Sequence, residues 1–463
     1  MTIEVMNPAT GELITSVPEG TVADVDQAVE KSVRAFEVWS ALSPGDRGAR
    51  LVRLAELIDA NVDELATIES QDSGKPFALA RDLEIPRAAA NFRFFAGAVQ
   101  HTKSESFDLG AQGMNYTLRR PRGVAGCISP WNLPLYLFTW KIAPALATGN
   151  TVIAKPSEVT PLSAIRLGEL ALEADLPPGV LSIVHGRGET VGARIVEHPN
   201  VPTITFTGGT ATGETIARTA GPMFKRMSLE LGGKNALIVC EDADLEKAMG
   251  TIVRSCFQNS GQICTCMSRI LVHRSRLKAF VARFLDEVSA LKVGDPLDPE
   301  TDMGPLVSES HRAGVEAAIA RAKDEGGTIA CGGGRPRGLS KRIEHGFFLE
   351  PTVFMGLDQG CSTNQEEIFG PVVTVQGFDE HREAVNAANA SRFGLACSIW
   401  TKDLTRGHRM ASMIDAGMVW VNGWMLRDLR TPFGGMKQSG IGREGGEEAL
   451  RFFTEPRSIT IGY

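Results

Sequence analysis

Apolar residues recur at helical spacing through residues 22–39, where Val25, Val29, Val33 and Phe36 share a face, and again through 46–69 with Leu51, Leu54, Ile58 and Leu65. Two amphipathic helices are predicted, separated by Pro44 and Gly45. A further helix is expected from Pro86, because proline's fixed φ suits a first helical turn. From residue 122 the pattern changes. The runs GVAGCIS, NTVIAK, VLSIVHG, TITFTG and the pair MSLEL and NALIVC read as strands, with helical segments at 133–148, 161–174, 188–197 and 210–220. This alternation predicts βαβ units, and so a mostly parallel sheet covered by helices.

A second alternating series spans about 235 to 422. Its strands are VVTVQGF, ACSIWT and MVWVNGW, and its helices lie at 243–258, 275–291, 309–325, 381–390 and 404–415. The chain is therefore of the α/β class. Two segments depart from this pattern: 102–121, polar and ending in the alternating YTLRR, and the closing FFTEPRSITIGY. Both read as strands that could leave the body and pair elsewhere. The glycine-rich, basic run 331–347 lacks GxxxxGK[ST] and reads as an exposed loop rather than a phosphate loop.

Composition narrows the function. With 463 residues, 43% hydrophobic and 22% charged, the chain can form two or three domains with real cores. A net charge of −7 argues against nucleic acid or anionic membrane as a main partner. No apolar stretch approaches the ~20 residues of a membrane span, and MTIEVMNPATGELI reads as the start of a folded domain rather than a targeting signal. A cytoplasmic location is expected. The eight cysteines are scattered, as reduced thiols would be, and no second Cys/His cluster accompanies Cys264 and Cys266, so no metal is expected.

Candidate chemistry begins at FQNSGQICTCMSR, 257–269. There Cys264 lies in a small, polar, turn-rich setting where a ligand could approach the thiol. Upstream, SLELGGKN places Glu230 between leucines and ahead of two glycines. A thiol and a partly desolvated carboxylate suit the making and hydrolysis of a thioester. The order Glu230, then FxxxGQxC, resembles the aldehyde dehydrogenase superfamily. Further motifs agree with it over roughly residues 5 to 463: SPWNLP at 129–134, AKPSEVTP at 154–161, FTGGTATG at 206–213, QEEIFGPV at 365–372 and PFGGMKQSGIGRE at 432–444.

The resemblance implies Cys264 as nucleophile, Glu230 as the base that activates water, and Asn132 as a donor to the oxyanion. It implies NAD as cofactor, with Trp131, Lys155, Glu158, Gly208, Gly213, Glu367 and Phe369 around it. Lys155 and Glu158 would meet the adenosine ribose hydroxyls; a carboxylate accepts from two hydroxyls but repels a 2′-phosphate, which favours NAD over NADP. Gly208 and Gly213 would allow close packing against the dinucleotide. This chain has Gly209 where many relatives carry serine. The plain GxGxxG fingerprint fails, since HGRGETVG has Val191 in place of the third glycine, and that segment reads as helix-start packing. The implied architecture is a dinucleotide-binding domain at 1–102 and 122–234, a catalytic domain at 235–445, and an oligomerisation arm at 103–121 and 446–463. A homodimer or homotetramer follows from that arm.

Within the superfamily, the SPWNLPLYLFTWK stretch and WMLRDLR at 424–430 look most like the branch that oxidises 2-aminomuconate or 2-hydroxymuconate 6-semialdehyde. Such substrates carry a carboxylate remote from the aldehyde, which a guanidinium fork can clamp. Arg87 and Arg427 are the expected partners, with Arg430 third. The alternatives are a different aldehyde (aliphatic, betaine-like or sugar-derived) and, from another class, a non-catalytic structural or binding member of the fold.

Overall fold

The computed structural model describes all residues, 1–463. Its first large sheet contains five parallel strands: Val124–Ile128, Thr151–Lys155, Leu181–Ile183, Thr203–Thr207 and Arg226–Glu230. A sixth, Gly440–Ile441, arrives from the far end of the chain and pairs antiparallel with Arg226–Glu230. Three of the parallel strands are buried along their whole length, and Arg226–Glu230 is buried from Ser228 on, as expected for a sheet covered on both faces.

The second sheet has seven strands. Thr352–Met355, Val372–Phe378, Met267–His273, Asn235–Val239, Ala396–Trp400 and Met418–Val421 are parallel neighbours in that order, and Thr328–Cys331 closes one edge antiparallel. The two runs read together as MSLEL and NALIVC are thus split between the sheets. The chain crosses from one to the other through Leu231–Lys234, directly after Glu230.

A third, antiparallel sheet joins Thr454–Gly462 to Gly113–Pro121 and Ser106–Asp108. Phe107, Met114, Leu118 and Ile461 are exposed on it. Residues 446–453 do not share that exposure: Ala449, Leu450, Phe452 and Phe453 are buried in the core that covers the first sheet, so the extended segment begins at Thr454.

Two sequence expectations need correction. The apolar run 46–69 is two helices, Pro44–Ala60 and Val62–Ser73, broken at Asn61, whose side-chain amide donates to Leu57 O at 2.7 Å. Pro86 does not begin a helix. The chain is already helical from Phe77, passes through a π-helical turn at Ala80–Glu84, and continues as α-helix Ile85–Ala98. The wider turn accommodates a proline that would otherwise remove an i→i−4 bond. No helix is long and apolar enough to cross a membrane.

Candidate active site

Ligands of open parallel sheets bind beyond the carboxyl ends of the strands, and here those ends collect the expected residues. Asn132 follows the strand ending at Ile128, Lys155 ends the next, Gly208 follows the one ending at Thr207, and Glu230 ends the fourth. The Cys264 loop enters from the other sheet, just before Met267–His273. Asn235, the first residue of the neighbouring strand, donates its side-chain amide to Cys264 O and Cys266 O, both at 2.8 Å. Asn259 and Ser260 adopt left-handed conformations, and a Cβ on Gly261 would lie 2.2 Å from Gly370 O. That tight turn brings the 367–370 loop against the thiol, so Cys264, Glu367 and Phe369 line one cleft. Asn132, buried, donates its side-chain amide to Gln262 O at 2.9 Å, two residues from Cys264.

The electrostatics are those of a dry, acidic pocket. Both carboxylate oxygens of Glu230 are buried without a hydrogen-bond partner. Glycine at 434 makes the room, since a Cβ there would stand 2.6 Å from Glu230 Oε1. Burial, reinforced by Glu444, holds the Glu230 carboxyl well above the usual carboxylate range, against the pull of Lys141, Arg443 and Arg427. The Cys264 thiol is pushed up to about 12, by burial first and then by Glu367 and Glu230, with Arg427 opposing. In the chain by itself, burial first and then the two neighbouring carboxylates disfavour the thiolate.

The region around Lys155 fits a dinucleotide. Lys155, almost fully buried, donates to Glu158 Oε2 at 2.9 Å, and Gly188 N donates to Glu158 Oε1 at 3.3 Å. Gly188 belongs to the failed GxGxxG segment, whose Val191 is fully buried in the core, as a packing role predicts. Helix Thr210–Ala220 begins after Gly209 with no side-chain cap, leaving its first N–H groups free for an anion. Close approach is built in: a Cβ on Gly213 would meet Leu231 at 2.5 Å, and one on Gly208 would meet the Phe206 ring at 2.4 Å. Glu367 Oε1 accepts from Gly233 N at 3.0 Å, and burial lifts its carboxyl to about 7. Phe369 holds a left-handed backbone (φ 57°), unusual for a bulky residue, and its ring stands edge-on to Trp131 at 5.3 Å between centroids.

Of the three arginines, two converge. The Arg427 guanidinium is boxed by Trp140, Phe433 and Tyr136, at 4.1, 4.4 and 5.5 Å from the ring centroids, and donates to the Tyr136 hydroxyl. Its second terminal nitrogen, Nη2, is buried without a partner. Arg87 lies over the same Tyr136 ring at 5.7 Å. The loop carrying Arg427 is fixed to the cysteine loop by Trp424, which donates to Thr265 O at 2.9 Å. Arg430 is 80% exposed and occupied by Asp428, so it does not join them.

Sequence reasoning missed Tyr136 and a buried pair, Lys141–Glu444, at 2.6 Å beside Glu230. Lys141 had a visible signal, a lone charge inside the apolar helix PLYLFTWKIAPALA. Elsewhere Cys240, Glu241 and His381 lie close together, but His381 and Arg406 already occupy Glu241 at 2.8 and 3.0 Å.

A cysteine and a partnerless carboxylate thus lie together at the mouth of a dinucleotide-type sheet. The chain belongs to the aldehyde dehydrogenase family, whose pattern matches residues 1–459. It is 48% identical over 461 residues to 2-aminomuconic semialdehyde dehydrogenase of Danio rerio, covering 99% of this chain and 95% of that one. It is 47% identical over 466 residues to 2-hydroxymuconic semialdehyde dehydrogenase of Pseudomonas sp. (strain CF600), covering 99% and 96%. The NAD+ complex of aldehyde dehydrogenase from Bacillus cereus superposes with a TM-score of 0.97 at 40% identity, covering 100% of this chain and 93% of that one.

Proposed function

We propose that the protein oxidises a semialdehyde with a remote carboxylate, such as 2-aminomuconate or 2-hydroxymuconate 6-semialdehyde, to the acid with NAD. The observation that carries the substrate class is the partnerless, buried Arg427 Nη2 beside Arg87, on a loop pinned to the Cys264 loop. A buried guanidinium nitrogen without an acceptor is costly, and a substrate carboxylate would supply one. The two curated relatives just described act, by name, on substrates of this kind. A betaine-like cation fits less well, since Arg427 itself fills the aromatic box that such a group would need.

In this reading the Cys264 thiol gives up its proton to solvent and Sγ adds to the aldehyde carbon. The Asn132 side-chain amide and the Cys264 N–H donate to the resulting oxyanion, and each such donor is worth about 3–4 kcal/mol. NAD, when bound, supplies the hydride acceptor. Trp131, Lys155, Glu158, Gly208, Gly213, Glu367 and Phe369 would hold it, and the Glu158 carboxylate selects against a 2′-phosphate. Glu230 takes a proton from water, which attacks the Cys264 thioester and releases the acid. Nothing in this scheme requires a metal. The exposed sheet of 103–121 and 454–462 is assigned to contact with further copies of the chain, giving a dimer or tetramer.

The test is a panel of steady-state rates. Aldehydes bearing an ω-carboxylate should exceed neutral aldehydes of similar length in kcat/KM by about ten- to a hundred-fold, the worth of one charge-assisted bond. Equal rates would discard the carboxylate reading and leave the family assignment standing.

A further inference from the structure

Behind Asn132 lies a buried ionic cluster that the chemistry above does not use. Lys75, in the turn after helix Val62–Ser73, lies 3.2 Å from Glu69 and in contact with Glu84, and the three side chains are 0%, 0% and 3% exposed. Its ammonium also donates to the main-chain carbonyl of Asn132, at 3.3 Å. The same carbonyl accepts from the Asn259 side-chain amide at 3.0 Å, and that amide also reaches Gln262 O at 3.4 Å. Glu69 secures the next turn, accepting from Leu135 N at 2.6 Å and Ser163 Oγ at 3.0 Å.

The Asn132 peptide is therefore held by two side-chain donors from different parts of the chain. One comes from the helical layer over the first sheet, the other from the loop that carries Cys264. An asparagine amide is separated from its backbone by only two rotatable bonds, so fixing the peptide plane fixes where the amide can point. An oxyanion donor works only within a few tenths of an ångström of its place, and misplacement by ~1 Å costs on the order of a hundredfold. Burying three charges is in itself a poor source of stability, and Lys75 spends one of its N–H groups on this one carbonyl.

We propose that Lys75 and Asn259 are positioning residues for the oxyanion donor, acting through the Asn132 carbonyl. The proposal rests on the reading of Asn132 given above, and a double-mutant cycle separates the two. Single-turnover NADH formation is measured at saturating NAD for Asn132→Ala, Lys75→Met, Asn259→Ala and each pair with Asn132→Ala. Lys75→Met leaves two carboxylates unpaired, so Lys75→Met/Glu84→Gln, which keeps the cluster's net charge and leaves only Glu69 unpaired, is run beside it. Asn259→Ala removes no charge and tests the same carbonyl independently.

The expected result is a ten- to hundredfold slower hydride step in each positioning variant, with the aldehyde KM within about threefold of wild type and thermal stability followed in parallel. On the Asn132→Ala background the same substitutions should add less than about twofold, because their route of action is gone. An Asn132→Ala enzyme at wild-type rate would overturn the reading of Asn132 itself. A slow Asn132→Ala enzyme with an unimpaired Asn259→Ala, or with losses that multiply in full, would overturn the positioning role and leave Asn132 in place.

Discussion

Two buried ionic groups flank this site, and they are finished to different degrees. In the Lys75–Glu69–Glu84 cluster the ammonium touches both carboxylates and a carbonyl, and Glu69 caps a helix start. At Glu230 the nearby charges pair with each other, Lys141 with Glu444, and leave both Glu230 oxygens without a partner. The first network is the more nearly satisfied, with Glu84 Oε1 the one carboxylate oxygen of its two glutamates lacking a partner. It holds geometry, whereas a carboxylate with neither oxygen paired keeps a reserve of basicity that substrate water can use. The contrast separates scaffold from chemistry more sharply than burial does, since both groups are buried.

The largest expected effect tests that contrast directly. Glu230→Gln should lower turnover by on the order of a thousandfold, as for loss of a general base, while a first turnover of NADH survives and an acyl adduct accumulates on the peptide containing Cys264. Cys264→Ala should show neither burst nor adduct. In urea titrations Lys75→Met should lose about 3–5 kcal/mol, as when one partner of a buried pair is removed, whereas Glu230→Gln should lose little or gain. A Glu230→Gln enzyme turning over at wild-type speed without adduct would place the base elsewhere.

The partnerless guanidinium of Arg427 extends the comparison to the substrate end. Arg427→Ala or Arg87→Ala should cost roughly 1.5–3 kcal/mol in kcat/KM for a carboxylated aldehyde, or ten- to a hundredfold, and much less for a neutral one. Equal losses for both would make the arginines structural, with Tyr136 as their support. Glu158 gives a smaller effect: NAD should exceed NADP by about tenfold or more in kcat/KM, because ~1.4 kcal/mol of repulsion suffices, and Glu158→Gln should narrow the gap.

How far these features were legible depended on whether the signal was local. Cys264 and Glu230 were legible because their local settings, a thiol among Ser, Gly and Gln and a glutamate between leucines ahead of two glycines, also fall in the order of the aldehyde dehydrogenase motifs. Most parallel strands were legible from their apolar runs, but Met267–His273 and the four-residue Thr352–Met355 were not; Ser268 and Arg269 interrupt the first. Arg269 proves to be buried, its guanidinium spent on the carbonyls of Lys234, Ala387 and Ala388. The arginine clamp was half legible. The resemblance implied a substrate carboxylate and hence guanidiniums, but the aromatic box joins Arg427 to Tyr136 across 291 residues, a relation no local pattern encodes. Lys75 gave no signal in the sequence, since its partners Glu69, Glu84 and Asn132 meet only in the fold.

The smallest effect is a shift in pH dependence, and it probes why Glu230 is basic. Burial is the first cause of its raised carboxyl and Glu444 the second, while Lys141, Arg443 and Arg427 oppose them. A general base must be deprotonated, so thioester hydrolysis should rise with pH through a limb above the ordinary carboxylate range. Glu444→Gln removes the like charge and leaves Lys141 without its 2.6 Å partner. Both changes favour the Glu230 carboxylate, so the limb should move to lower pH. A shift of one pH unit corresponds to ~1.4 kcal/mol, and a pH series of single-turnover deacylation would resolve half of that. Thr205, which donates to Glu444 Oε1 at 3.0 Å and accepts from Lys141 Nζ at 3.1 Å, offers a control: Thr205→Val removes both hydrogen bonds but no charge, and should move the limb far less. An unmoved limb in Glu444→Gln would mean that burial by itself sets the base, and the Lys141–Glu444 pair would then belong with the scaffold.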